Sequence, residues 1–145
     1  MPIRGSRGPL RRRWPSAVII DTSALLALIL NEPESPLFVS TIESATTRRM
    51  SAASYIEAAI YVDRNGDEIG RAMLDTLLAK FSIRIEPVTV EQALLARQGF
   101  VLFGKGRHKA GLNFGDCFSY ALAKAYREPL LFKGADFGHT DLEAA

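Results

Sequence analysis

Three observations predict an α/β domain with a parallel sheet between layers of helices. Short apolar runs alternate with longer stretches of helical spacing along most of the chain. The first run, Val18-Ile19-Ile20, is continuously apolar, the pattern of a strand buried on both faces. That run stops abruptly at Asp21, placing an acid at the carboxyl end of a strand, where open α/β sheets form their ligand crevice.

The elements follow in order. After a strand over 17–20, a Leu/Ala-rich helix runs to about Leu30 and is stopped by Asn31 and Pro33. Ser35-Pro36 opens a second helix, with Ser as cap and Pro in the first turn, continuing over 37–45. Residues 48–51 form a strand candidate leading into a helix over 52–64, which Asn65-Gly66 breaks. Residues 66–81 are helical, with Ile69, Met73, Leu74, Leu77 and Leu78 at helical spacing. Residues 82–85 alternate as a strand that ends at Pro87, and Thr89 caps a helix to about Phe103. A Gly/Lys/Arg loop spans 104–111. Asn113 or Gly115 then opens a helix to about Arg127, and 129–132 is the last clear strand. Repeats and internal low-complexity segments are absent, so 17–145 reads as one domain.

Composition narrows the classes. At 145 residues the chain is long enough to bury a real core. A single cysteine, Cys117, excludes an internal disulfide framework, suits a reducing compartment and reads as a small buried residue. With only two histidines beside it, a structural zinc site is disfavoured. Five arginines and no acid lie in residues 1–16, so the net charge of +2 conceals a mildly acidic body behind a flexible basic arm. Any binding of nucleic acid must therefore be local rather than a matter of bulk charge. The RRRW and ALLALIL stretches imitate a signal peptide, but Asp21 interrupts the apolar run and NEPE follows it in place of a small-residue cleavage site. No run approaches a membrane span, and the expected location is the cytoplasm.

Four carboxylates stand where structure alone explains them incompletely. Asp21 needs a partner or a use if it is buried. Glu57 lies in AASYIEAAIYV, a helix almost without a polar side; its ordinary reading is an exposed Glu on a poorly patterned helix. Asp116 opens an apolar helix, where acids commonly complement the helix dipole. Asp136 follows the last strand through Lys133-Gly134-Ala135, as turn residues often do. Taken together, two of the four occupy carboxyl ends of separate parallel strands and so share one rim. Carboxylates held close raise each other's pKa unless cations intervene, and hard ions with oxygen ligands, Mg²⁺ or Mn²⁺, answer that need. Such a cluster supports phosphodiester hydrolysis. Thr22 and Ser23 are placed to orient the Asp21 carboxylate.

From Gln92 to Gly115 there is no acid, while Arg97, Lys105, Arg107, His108 and Lys109 are present. This segment runs straight into Asp116 and is a candidate grip for substrate phosphates, with His108 a candidate proton shuttle; its ordinary reading is a solvated loop.

The stretches VIIDTSALLALILNEPE, SAASYIEAA, LNFGDCFSYALAKA and PLLFKGADFGHTDL together resemble the PIN-domain ribonucleases, and among them the VapC-type toxins of prokaryotic toxin–antitoxin pairs. The resemblance covers residues 17–142 with the motifs in family order. It implies a Rossmann-like three-layer sheet flanked by helices and a Mg²⁺- or Mn²⁺-dependent endoribonuclease. Its acidic residues map onto Asp21, Glu57, Asp116 and Asp136, with Asp21 and Asp116 as direct metal ligands and the others acting through water or as a base. It also implies an RNA substrate, a homodimer, and silencing by a cognate VapB-like antitoxin, often through a basic side chain in the acidic pocket. Two departures stand out: residues 1–16 precede the family's usual start, and little chain follows Leu142 for a final edge strand. The competing readings are a phosphatase with an Asp nucleophile, disfavoured because Ser23 occupies the place of its second acid, and a non-catalytic RNA- or partner-binding domain.

Overall fold

The computed structural model describes residues 16–65 and 68–145. Apart from Ser16, the basic arm of residues 1–16 lies outside the described residues, as does Gly66 of the predicted break. Four strands, β1 (Ala17–Ile20), β2 (Thr47–Ser51), β3 (Arg84–Glu86) and β4 (Leu130–Leu131), form one sheet in the order β3-β2-β1-β4, every pairing parallel. Between them run α1 (Thr22–Ile29), α2 (Ser35–Ser44), α3 (Ala52–Asn65), α4 (Glu68–Lys80), α5 (Val90–Phe103) and α6 (Phe114–Tyr126). Because all four strands point the same way, their carboxyl ends share one rim.

The three layers follow from side-chain alternation. Along β1, Val18 and Ile20 face a core completed by Ala24, Leu25 and Leu28 of α1, Ile42 of α2, Ala58 of α3 and Leu74 of α4. Ile19 points the other way, into a second core with Leu112, Cys117, Tyr120 and Leu122. β4 divides likewise, with Leu131 in the first core and Leu130 in the second. A strand covered on both faces has no use for a polar residue, which is why β1 reads as an unbroken apolar run. On the second face α5 packs tightly on α6: a Cβ on Gly99 would enter the ring of Tyr120.

Several boundaries differ from expectation. Asn31 ends α1 in the left-handed region at φ 50°, a conformation Asn tolerates. Ser35 lies inside α2; Glu34 is the cap residue and makes no side-chain capping bond. Ser82 takes φ 50°, and β3 begins two residues later than the alternation suggests, at Arg84. A short 3-10 turn, Asp136–His139, follows β4. Beyond it the chain returns to β4: Leu130 N–H donates to Glu143 O (2.9 Å) and Ala145 N–H to Leu130 O (2.9 Å), a parallel bridge in place of a full edge strand.

The sheet is also fastened by one ionic knot. Arg49 on β2 reaches Glu86 (2.8 Å) and Glu128 (3.2 Å), its guanidinium 4.1 Å from the centre of the Tyr126 ring. Among the described residues no helix is long and apolar enough to cross a membrane.

Candidate active site

Asp21 leaves β1 in an extended conformation and caps α1, its Oδ2 accepting from Ser23 N (3.0 Å) and Ser23 Oγ (2.6 Å). Its Oδ1 accepts from Ser119 Oγ on α6 (2.5 Å). The carboxylate is buried, and these three donors replace the water it has lost. Ser119 has one proton and gives it to Asp21, so the 3.1 Å contact with Ser54 is donated by Ser54. Thr22 does not orient Asp21; its hydroxyl donates to Ser54 O (2.9 Å), tying α1 to the first turn of α3. Ser23 acts as expected and does more, since its Oγ also accepts from Lys133 N (2.9 Å), fixing the loop that carries Asp136.

Asp116 sits in the first turn of α6 in a reciprocal cap. Asn113 Oδ1 accepts from Asp116 N (2.9 Å), and Asp116 Oδ2 accepts from Asn113 N (3.0 Å). Its carboxyl is nevertheless pushed up to about 6, chiefly by burial; the cap bond opposes the shift, and the negative charges of Asp21, Asp136 and Glu57 add to it. Asp21, Glu57 and Asp136 thus all lie within electrostatic reach of Asp116. Glu57, exposed on α3, is brought there by a missing side chain: a Cβ on Gly115 would collide with its Oε2. Asp136, also exposed, opens the 3-10 turn beyond β4.

The cluster is not a closed cage. Among the described residues no three His, Cys, Asp or Glu side chains stand close enough to hold an ion by themselves. Ions such as Mg²⁺ keep several waters and take only one or two protein carboxylates. The donor set itself is all oxygen and all anionic, which fits a hard cation.

The remaining expectations divide. Cys117 is buried and its thiol is pushed up by burial and by the Asp116 charge, so it stays protonated. His108 is committed to its loop: Nδ1 accepts from Ala110 N (3.0 Å) and the ring stands edge-on to Phe103. Two features escaped the sequence reading. Ser119 is three residues after Asp116 and shares the inward side of α6, a spacing that marks it only once the helix is known. Lys133, at the mouth of the site, is neutralised by Glu32 and stands 3.5 Å from Glu34, both from the NEPE segment after α1.

A buried, hydroxyl-bound acid lies at the end of the first strand, with three more carboxylates toward the same rim of a parallel sheet. Residues 18–142 match the PIN domain, and the chain belongs to that family. Within the family it is a ribonuclease of the VapC type, a hydrolase. It is 47% identical over 129 residues to ribonuclease VapC28 of Mycobacterium tuberculosis, an alignment covering 88% of this chain and 97% of the relative. The fold is shared with the crystal structure of the sarcin–ricin-loop-cleaving toxin VapC20 of the same species (TM-score 0.68, 18% identity, 88% of this chain and 98% of that one). It is shared too with a toxin–antitoxin complex from Klebsiella pneumoniae (TM-score 0.64, 16% identity, 86% and 92%). Dependence on a divalent metal is general to PIN-domain nucleases. Membership of this family sets aside the aspartyl-phosphatase reading.

Proposed function

We propose that this ribonuclease cuts RNA endonucleolytically with Mg²⁺ or Mn²⁺ held by Asp21 and Asp116, with Glu57 and Asp136 completing the site through water or as a base. The observation that carries the reading is the convergence of four acids from four separate segments on one rim, with Asp116 raised first by its burial and further by the charges of the other three. When bound, the ion would neutralise this repulsion, activate a water and stabilise the departing oxygen. The chain's own part is positional. Ser23 and Ser119 hold the Asp21 carboxylate in one orientation, and the Asn113 cap leaves Asp116 Oδ1 free to bind.

The partners follow the same reading. Relatives and structural neighbours are toxins of toxin–antitoxin pairs, and an antitoxin that covers the acids with an Arg or Lys would stand in for the cations. Ile56, Ile60, Tyr61, Ile69 and Met73, exposed on α3 and α4, support a partner that buries apolar surface there. A homodimer belongs to the same reading. The place of action is the cytoplasm.

The test is incubation of the partner-free chain with total cellular RNA in Mg²⁺, Mn²⁺ or EDTA, beside Asp21→Asn and Asp116→Asn prepared identically. Discrete fragments that need both metal and the two acids are expected. Full cleavage by either variant would overturn the site assignment.

A further inference from the structure

On the flank of α6 opposite the acids, α5 and α6 enclose a cavity of about 540 Å³ whose occupant the proposed chemistry does not account for. Phe100, Phe114 and Phe118 line it together with Ala96, Cys117 and Arg97. Phe114 and Phe118 meet edge to face with ring centres 4.9 Å apart, and Phe114 is 81% exposed. An aromatic ring left in water at the first position of a helix contributes nothing to the core; it is available to a ligand.

The charge around this cavity says which kind. Arg107 places its guanidinium 5.7 Å from the centre of the Phe100 ring. Among the described residues neither Arg97, Lys105, Arg107 nor Lys109 has an acidic side-chain partner. The segment from Gln92 to Gly115 supplies no acid that could provide one. An aromatic slot rimmed by unpaired guanidiniums suits a flat ring carried on an anionic backbone.

Its place relative to the acids completes the argument. Phe114 and Asp116 are two residues apart in one turn, so their side chains leave α6 on nearly opposite sides, about 200° apart at roughly 100° per residue. A strand drawn over the end of α6 presents a phosphate to the acids on one flank and a neighbouring base to the rings on the other. We propose that the Phe100–Phe114–Phe118 cavity is a stacking subsite for an unpaired nucleobase of the RNA, with Arg97 and Arg107 on the adjoining phosphates. This inference rests on the ribonuclease reading for its ligand and adds a base-binding element to it. The subsite selects single-stranded RNA, because a base must leave its helix to enter.

The probe is a short all-uridine oligoribonucleotide with one central 2-aminopurine, bound in EDTA so that metal-assisted cutting is suppressed. Stacking on the full chain quenches the 2-aminopurine emission. Phe114→Ala abolishes the quenching and weakens binding about five-fold or more, the effect of losing one base–aromatic stack, whereas Phe114→Tyr restores both. Arg97→Ala weakens binding and flattens its salt dependence, while the quenching at saturation is kept. Unchanged melting of Phe114→Ala excludes misfolding. Quenching and affinity untouched in Phe114→Ala would overturn the subsite, as would finding that the substitution only dissociates a dimer in sedimentation. Metal-dependent cleavage of cellular RNA is scored separately. Cleavage without Phe114-dependent quenching removes the subsite and spares the nuclease; quenching without metal-dependent cleavage does the reverse.

Discussion

Replacing Asp116 with Asn is expected to stabilise the metal-free protein while removing its activity. The Asp116 carboxyl stands at about 6 in the folded chain against an ordinary 3.8. A raised acid opposes folding when ionised. The cost is absent below pH 3.8, where the group is protonated in both states, grows as pH rises toward 6, and is complete above it. Two units correspond to about 3 kcal/mol at full weight, and solvent screening of a half-buried group reduces this to roughly 1.5–2 kcal/mol. Asn keeps an oxygen for the Asn113 N–H but gives up the charge that favours a helix start, a loss of about 0.5–1 kcal/mol. The balance is a gain of about 1 kcal/mol, or roughly 2–4 °C for a domain of this size. The assay is thermal unfolding by circular dichroism in EDTA at pH 7.5 and again at pH 4. The gain should appear at the first pH and vanish at the second, and adding Mg²⁺ should raise the parent but not the variant. An Asn variant no more stable than the parent at pH 7.5 would refute the cost of holding this charge half-buried beside three other acids.

Three further outcomes test other parts of the structure. Ser119→Ala removes the donor to Asp21 Oδ1 and should raise the Mg²⁺ needed for half-maximal cleavage by about 10–100-fold, the usual effect of losing a ligand's supporting hydrogen bond; a Mg²⁺ titration reads it, and an unchanged midpoint would make Ser119 merely structural. Gly115→Ala drives a methyl into Glu57 Oε2, which swings away at small cost because it ends a flexible exposed chain. Melting should therefore move little while turnover falls, and equal turnover would show that the position of Glu57 is immaterial. Arg49→Met strands Glu86 and Glu128, both mostly buried, and should cost about 3 kcal/mol in urea unfolding.

Much of this was readable beforehand, for reasons that are local. Val18-Ile19-Ile20 ending in Asp21 announces a doubly covered strand and an acid at its mouth. Asn113 or Gly115 announces a helix start, and the structure settles on Asn113, which caps α6 reciprocally with Asp116. Legibility failed where a residue's role depends on something distant in the chain. Ser119 is 98 residues from the carboxylate it serves, and nothing in FSYALAKA distinguishes its inward hydroxyl from a surface one. Glu57 was legible as a candidate from its apolar helix, but the feature that admits it, an absent side chain on α6 at Gly115, was not. In the basic loop, likewise, the sequence does not announce the two-residue backbone contact that uses Nδ1 of His108.

The two proposed metal ligands are also helix terminators. Asp21 seals the start of α1 through Ser23 N, and Asp116 seals α6 through Asn113 N. Alanine scanning of this rim would therefore mix two losses, since each truncation also frays the helix that carries its neighbours and an inactive protein would say little about chemistry. Amide replacements separate the two, because they keep an acceptor for the backbone while withdrawing the anion. They are accordingly the variants with which to trap an uncut RNA or to express the chain safely without its partner.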